Sequence, residues 1–253
     1  MQNFTRIQYI VENKIGWIIL NRPEKLNALD EETWKELHHA SELANNDNTR
    51  VIVITGTGRA FSAGDDILAM YTLNNIDEAH KFFHILLNTV LSFINIKKPF
   101  IAAVNGLAYG GGCELLLLAD VVISVEDAKF AIPEGRIGLI PPIAISVGHS
   151  MIGLRHIARL ILTGEPIDAY EAQKIGLVDY IVPKTQLKDK TIEIAQKIML
   201  NGTQAIKTMR SWLSKHRTEF IKDAIEELAK ISITEEAKEG MKAFLEKRQP
   251  KFL

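Results

Sequence analysis

The sequence contains little of what several classes of protein require. Only one of its 253 residues, Cys113, is a cysteine, which excludes an intrachain disulfide framework and a zinc or iron-sulfur site built on several cysteines. Charge of one sign is not in excess either, because 30 Lys and Arg residues oppose 31 Asp and Glu residues. The chain therefore has no global basic field to hold nucleic acid or an anionic membrane as a partner.

Long hydrophobic runs are also missing. The first residues lack the apolar segment of a signal peptide, and the apolar run after Cys113 is interrupted by Glu114 and Asp120, well short of a membrane span. We therefore expect a cytoplasmic protein with no membrane partner. The length fits one large domain, or a domain with an appendage, that buries most of the apolar surface of its unfolded chain.

The order of the apolar patterns predicts an α/β core followed by helices. Strand patterns alternate with helical patterns as far as residues 178–182, and beyond Pro183 only helical patterns occur. This order is typical of an α/β fold with a helical extension. Within the core, Asp30 is suited to cap one helix, and another helical pattern extends over about residues 77–95.

Two glycine-containing loops are predicted to present backbone N-H groups. Residues 110–112 are three consecutive glycines that follow a strand pattern and open an apolar segment predicted to be a helix beginning near Gly112. Residues 62–66, with Gly64 at their centre, also follow a strand pattern and are suited to a sharp turn. A pair of such N-H donors can stabilise a thioester or ester oxygen that becomes negative during acyl-group chemistry.

Two glutamates are candidates for an acid and a base near these loops. Glu114 directly follows the glycines, and Glu134 follows one predicted helix and two predicted strands, a path that can return the chain to the same cleft. A carboxylate in the first turn of a helix also has a structural explanation, because it complements the helix dipole. Two carboxyl groups in a partly apolar site shift each other's proton affinity, which suits a site that moves a proton and positions water.

Two other motifs are incomplete. Residues 56–58 have the spacing that begins a dinucleotide-binding motif, but Phe61 occupies the position of its third glycine. Residues 148–150 resemble the start of a nucleophile elbow, but Ile152 replaces its final glycine and no strand precedes it. Neither nicotinamide chemistry nor serine hydrolysis is therefore favoured.

Covalent and metal chemistry are not expected either. Ser62 has no matched base, and Cys113 lies in a segment predicted to point its apolar face into the core. His80 and His84 are four residues apart, but no third ligand of matching spacing follows. The carboxylates remain as the candidate acid and base.

Five segments of the chain resemble motifs of the enoyl-CoA hydratase/isomerase (crotonase) family, in the family's order. They are residues 21–29, 61–67, 105–115, 130–134 and 239–248. The resemblance covers nearly the whole chain and is strongest to an enoyl-CoA hydratase. It implies a spiral of ββα units with an acyl-CoA site over residues 1–190. It also implies a C-terminal helical region, residues 191–253, that forms a homotrimer or a hexamer made of two trimers.

The same resemblance implies roles for individual residues. The backbone N-H groups of Asp65 and Gly111 would hold the thioester oxygen, and Glu114 and Glu134 would hold the water, with Glu134 protonating the α-carbon. The implied reaction is syn addition of water to a trans-2-enoyl-CoA, giving a 3-hydroxyacyl-CoA with no metal or other cofactor. The residues expected to bind coenzyme A are Lys25, Ala63, Asp65, Ile67, Phe244 and Lys247. Phe244 and Lys247 would reach the adenine or a phosphate, either in their own subunit or across a subunit boundary.

Two positions depart from the family's pattern. Asp65 stands where alanine is common, which is compatible with an oxyanion hole only if its carboxylate points away from the bound oxygen. Pro142 lies in a segment that differs from that of many hydratases, and it has no N-H to offer the catalytic water. Two alternatives therefore stay open: an isomerase or specialised dehydratase that uses the same glutamates, and a non-catalytic acyl-CoA-binding oligomer. The intact pair of glutamates argues against the second.

Overall fold

The computed structural model describes residues 4–218 and 220–252, which form two β-sheets surrounded by helices. The strands in this part of the chain are β1 (Ile7–Glu12), β2 (Ile15–Leu20), β3 (Val51–Gly56), β4 (Ala60–Ser62), β5 (Phe100–Val104), β6 (Leu107–Tyr109), β7 (Val121–Val125), β8 (Lys129–Ala131), β9 (Ile167–Asp168) and β10 (Tyr180–Val182). The helices are α1 (Glu31–Asn46), α2 (Ile67–Tyr71), α3 (Ile76–Asn95), α4 (Gly111–Glu114), α5 (Pro142–Ile152), α6 (Leu154–Thr163), α7 (Ala169–Lys174), α8 (Leu187–Met199), α9 (Thr203–Leu213), α10 (Ile221–Ser232) and α11 (Glu235–Leu245).

The larger sheet has the strand order β1-β2-β3-β5-β7-β10. Only β1 and β2 pair antiparallel, and all the other neighbours are parallel. The central strands β3 and β5 consist almost entirely of buried apolar residues, as parallel strands covered on both faces require. The sequence pattern did not predict β1, because most of its residues are exposed or half-buried.

The smaller sheet has the strand order β4-β6-β8-β9, with the first three strands parallel. Along the chain, the pairs β3-β4, β5-β6 and β7-β8 each place their first strand in the larger sheet and their second in the smaller one. Helices follow each pair. This repetition confirms the predicted spiral of ββα units.

The predicted start of α1 is confirmed by its cap. The Asp30 carboxylate accepts a hydrogen bond from the Thr33 N-H at 2.8 Å, which satisfies one of the free donors at the start of the helix. Helix α3 extends over the predicted segment and packs against α1 on one side and α10 on another. Its buried face is lined by aromatic and aliphatic side chains such as Phe82, Phe83, Leu86 and Val90.

The described chain after β10 is helical, as predicted, and an arginine connects it to the core. The Arg210 side chain on α9 donates to Asp120 Oδ2 at 2.6 Å and to the carbonyls of Phe93 and Ile94, each at 3.2 Å, at the end of α3. The division into a core of residues 1–190 and an oligomerisation region of residues 191–253 stays a prediction.

The start of β1 is held by a buried carboxylate on α1. Glu36 accepts hydrogen bonds from the N-H groups of Thr5, Arg6 and Ile7 at 2.6, 2.8 and 3.1 Å, and from the Thr5 hydroxyl at 2.8 Å. A glutamine in its place would turn an amide N-H toward at least one of these donors. We expect Glu36→Gln to lower the free energy of unfolding by about 1–3 kcal/mol, measured by urea denaturation.

The matched control is Glu32→Gln, on the same helix but exposed, which we expect to change the free energy by less than about 0.5 kcal/mol. Equal effects of the two substitutions would contradict the role given to Glu36.

No helix in residues 4–218 or 220–252 combines the length and the apolar character needed to cross a membrane.

Candidate active site

Three neighbouring parallel strands of the smaller sheet deliver the candidate site residues to one edge. Asp65 follows β4, Gly111 and Glu114 follow β6, and Glu134 follows β8. Because the carboxyl ends of parallel neighbours lie at the same edge of a sheet, the three segments meet there. The Gly110 N-H extends the pairing of β6 with β8 by donating to the Ala131 carbonyl at 2.9 Å.

The glycine loops pack so closely that side chains would not fit between them. Gly64 has φ +90°, and a Cβ atom on it would lie 2.8 Å from the Tyr109 carbonyl oxygen and 3.2 Å from the Gly111 nitrogen. A Cβ atom on Gly111 would lie 2.7 Å from Asp65 Oδ2. Glycine at these positions therefore allows the loop after β4 to contact the loop after β6.

The two predicted N-H donors are available. Neither the Asp65 N-H nor the Gly111 N-H donates to another residue in the part of the chain that the structure describes, although the adjacent Asp66 N-H donates to the Leu29 carbonyl at 3.0 Å. Both donors belong to the two loops in contact through Gly64. The arrangement provides a pair of amides that donate to no other described residue and are suited to an oxygen that becomes negative.

The helix predicted after the glycines is shorter than expected. It begins at Gly111 rather than Gly112, and α4 makes a single turn before a 3₁₀ segment, Leu115–Leu118, takes over. All four leucines of that segment are buried, so packing against the core decides its course. A single turn has little macrodipole, and the affinity for negative charge depends on the free amides themselves.

Glu114 is a buried carboxylate with a backbone donor. It is 2% exposed, and its Oε1 accepts a hydrogen bond from the Ala144 N-H, near the start of α5, at 2.7 Å. Burial, and next the neighbouring Glu134, raise the pKa of Glu114 well above its usual range. Pro142 is the first residue of α5, where its missing N-H would have had no partner within the helix.

Glu134 is a buried carboxyl group at the start of a short turn. It begins the 3₁₀ turn Glu134–Ile137 and is 9% exposed. Neither of its carboxylate oxygens has a hydrogen-bond partner among residues 4–218 and 220–252. Burial raises the pKa of Glu134 to about 8, and the charge of Asp65 acts in the same direction. Burial therefore favours the protonated form of Glu134.

The Asp65 carboxylate points toward α1. Its Oδ1 accepts a hydrogen bond from Trp34 Nε1 at 2.9 Å, while Oδ2 lies against Gly111. Burial raises the pKa of Asp65 to about 6, although the Trp34 hydrogen bond favours the ionised form. Three carboxyl groups, those of Asp65, Glu114 and Glu134, thus share one site, and each of the glutamates is affected by the charge of Asp65.

The other predicted ligand-binding residues lie on three different segments of the chain. Ala63 is half-buried in the loop after β4, Ile67 begins α2, and Lys25 is exposed at the end of the 3₁₀ turn Pro23–Lys25. Phe244, which is 58% exposed, and the exposed Lys247 lie at the end of α11.

Helix α11 borders the site of its own chain. It packs against α2 and against the turn that carries Glu134. At the second contact, a Cβ atom on Gly240 would lie 2.3 Å from the Ile137 carbonyl oxygen, so only glycine permits this approach. The end of α11, with Phe244 and Lys247, is therefore supported by the same turn as the buried glutamate.

Sequence reasoning missed two residues of the site. Nothing in the sequence links Trp34, on the buried face of α1, to Asp65. Ala144 could have been found, because Pro142 marks a helix start whose next N-H groups are free for a side-chain acceptor.

The remaining candidates for chemistry include Cys113, which directly precedes Glu114 on α4, and the histidines of α3. Cys113 is buried, and burial raises the pKa of its thiol, followed by the charges of the two glutamates. His80 Nε2 lies 3.0 Å from Glu226 Oε1 on α10. In the described residues no three His, Cys, Asp or Glu side chains are grouped to hold a metal ion.

Comparison with known proteins identifies relatives along nearly the whole chain. A sequence model of the enoyl-CoA hydratase/isomerase family matches residues 11–253. The short-chain-enoyl-CoA hydratase of Clostridium acetobutylicum is 36% identical over 246 residues, with 94% of each chain covered. The crotonyl-CoA hydratase of Syntrophomonas wolfei is 33% identical over 249 residues, covering 96% of this chain and 95% of that protein. The crystal structure of an enoyl-CoA hydratase from Bacillus anthracis has a TM-score of 0.80 at 32% identity, covering 98% of this chain and 99% of that one.

Proposed function

Because this chain belongs to the enoyl-CoA hydratase/isomerase family, we propose that it adds water to the 2,3 double bond of a trans-2-enoyl-CoA. The product is a 3-hydroxyacyl-CoA. The observation that carries the proposal is the pair of buried glutamates in different surroundings: Glu114 accepts a hydrogen bond from a backbone N-H, whereas Glu134 has no donor among the described residues.

The two free amides supply the electrostatic part of the reaction. The N-H groups of Asp65 and Gly111 bind the thioester oxygen and stabilise the negative charge that it gains when water attacks C3. The substrate is a coenzyme A thioester, and the reaction as written needs no other cofactor. Asp65 takes part through its backbone, while its side chain is held by Trp34.

The two carboxyl groups divide the proton transfers between them. Glu114, as the carboxylate, takes a proton from the water whose oxygen bonds to C3. Glu134, as the acid, gives its proton to C2 of the enolate, which restores the thioester carbonyl. A proton then passes from Glu114 to Glu134 to reset the pair, so the net change is the addition of one water molecule.

The coenzyme A portion lies on the side of the site bordered by the loop after β4 and the end of α11. Lys25 and Lys247 are exposed cations suited to phosphate groups, and Phe244 is an exposed aromatic ring suited to adenine. Ala63 and Ile67 line the channel between them.

Family membership also supports a homotrimer, or a hexamer of two trimers, built through the C-terminal helices. Helix α9 exposes Met209, Trp212 and Leu213 on its surface, and such apolar side chains are typical of a subunit interface. A cytoplasmic location remains a prediction from the sequence.

The test is an assay with trans-2-enoyl-CoA substrates of increasing length. We expect the absorbance of the conjugated enoyl thioester to fall with crotonyl-CoA and the rate to decrease as the acyl chain lengthens, because relatives carry the names short-chain-enoyl-CoA hydratase and crotonyl-CoA hydratase. Tight binding of coenzyme A without turnover would indicate a non-catalytic oligomer instead. Faster migration of a 3,4 double bond than hydration would indicate an isomerase.

A further inference from the structure

The peptide that joins Gly110 and Gly111 lies between two carboxyl groups. On one side, a Cβ atom on Gly111 would be 2.7 Å from Asp65 Oδ2. On the other, a Cβ atom on Gly110 would be 3.0 Å from Glu134 Oε1. Since adjacent Cα atoms are about 3.8 Å apart and each Cα–Cβ bond adds about 1.5 Å, these two carboxyl oxygens are within roughly 13 Å of each other.

The hydrogen-bond donors of these groups decide which one ionises. Asp65 receives the indole N-H of Trp34, which stabilises a negative charge against the effect of burial. Glu134 is buried and receives no hydrogen bond from the described residues. Two negative charges this close together in a poorly solvated site repel each other. The favoured arrangement is therefore an ionised Asp65 beside a protonated Glu134.

We propose that the Asp65 side chain is a positioning residue whose negative charge, held across the glycine peptide, keeps the Glu134 carboxyl protonated while the enzyme turns over. The proposal rests on the proposed hydratase function and assigns to the side chain of Asp65 a role separate from that of its backbone N-H. It also explains why a carboxylate is tolerated next to the oxyanion hole, since Trp34 holds it and the acid depends on it.

The other charged groups near these carboxyls are exposed or already paired, and Glu114 accepts the Ala144 N-H. Near Asp65, the Asp66 carboxylate is paired with Arg22 and the Glu31 carboxylate with Lys35. Glu36 accepts hydrogen bonds from the start of β1, and Glu32 is exposed.

The charged side chains around the turn of Glu134 also have partners. These pairs are Arg136 with the Thr163 carbonyl, Arg159 with Glu171, Lys238 with the Tyr71 carbonyl and Glu239 with Arg248. The other titratable side chains on α6 and α11 are exposed: Arg155, His156, Glu235, Glu236 and Lys242. Cys113 is neutral, because burial raises the pKa of its thiol.

The first test is the pH dependence of kcat for Asp65→Asn. The asparagine retains an oxygen for the Trp34 N-H but removes the charge, so Glu134 loses its proton at lower pH. We expect the alkaline limb of the profile to move down by about one pH unit, the size expected for unit charges about 12 Å apart at an effective dielectric constant of about 20. KM should change by less than about twofold. A limb displaced by less than about 0.3 unit would overturn the proposal.

The matched control is Asp66→Asn, which makes the same substitution one residue along the chain, at a carboxylate already paired with Arg22. We expect it to leave the alkaline limb in place. Asp65→Ala serves as a second test variant if the asparagine disturbs folding, and the same downward displacement is expected. A displacement as large in Asp66→Asn as in Asp65→Asn would contradict a specific role for Asp65.

A second measurement does not depend on turnover. The carboxyl ¹³C resonance of Glu134, assigned by its absence from Glu134→Gln, can be titrated by NMR in the wild-type protein and in Asp65→Asn. We expect a midpoint about one pH unit lower in the variant. A shifted midpoint in a protein without hydratase activity would reject the proposed function and still support this role of Asp65. An unshifted midpoint in an active hydratase would support the proposed function and overturn this role of Asp65.

Discussion

Replacing Glu134 by glutamine is expected to lower kcat by at least about a hundredfold while leaving coenzyme A binding nearly unchanged. The amide cannot give a proton to C2, and general acid-base catalysis contributes a factor of this size. The same variant should be more stable than the wild type at neutral pH. The two effects have one cause, the burial of a carboxyl group without a hydrogen-bond partner.

The sign of the stability effect follows from the proton. The folded-state pKa of Glu134 is about 8 and its ordinary value is 4.5, so the folded protein holds a proton that the unfolded chain releases. The resulting contribution to stability is complete below pH 4.5 and is lost as the pH rises through about 8. Glutamine never ionises and avoids this loss. At pH 8 we expect the variant to gain at least about 1 kcal/mol in free energy of unfolding.

Turnover of crotonyl-CoA and urea denaturation at pH 5 and pH 8 measure both effects. Glu126→Gln, an exposed position on the loop after β7, is the control and should change neither. Undiminished turnover in Glu134→Gln would remove its assigned role as the acid. A loss of stability that is equal at both pH values would contradict the assignment of a protonated carboxyl.

The second large effect concerns the attachment of the C-terminal helices. Arg210 is 3% exposed, and its guanidinium binds Asp120 and the last carbonyls of α3. Arg210→Leu would leave Asp120 with the Phe100 N-H and the more distant Arg217, at 3.6 Å, and would leave the α3 carbonyls without these donors. We expect the free energy of unfolding to fall by about 3–5 kcal/mol, the usual cost of removing one partner of a buried ion pair.

An exposed arginine provides the control for this experiment. Arg248 donates two hydrogen bonds to Glu239 near the end of the chain, at 2.6 and 2.7 Å. Because water solvates both groups, Arg248→Leu should cost less than about 1 kcal/mol in the same denaturation assay. Similar losses in the two variants would show that Arg210 does not anchor α9 in the way proposed.

The fold was largely predictable because its signals are local. The apolar strands β3 and β5, the Asp30 cap and the succession of helices after Pro183 follow from periodicity and capping, and all are present in the structure. The predicted helix after the glycines was wrong in start and length, since the leucines that follow pack into the core in a 3₁₀ conformation. An exposed edge strand such as β1 lacks the apolar pattern that reveals a buried one.

The candidate site was predictable only in part. That Glu114 and Glu134 reach one site follows from the strands between them. Which group stabilises each carboxyl depends on residues distant in sequence, namely Ala144 for Glu114 and Trp34 for Asp65. The residue pattern of a single helix or strand does not predict contacts between distant residues. The sequence also does not distinguish a carboxyl group that lacks a hydrogen-bond donor from one that has several.

The contact between Gly240 and Ile137 has a consequence for the synthesis of the protein. The turn that carries Glu134 gains its outer support from α11, a helix that leaves the ribosome about 100 residues later. A nascent chain can thus form its sheets early and still lack a finished site. Ribosomes that stop before residue 235 would release chains with both glutamates and no hydratase activity.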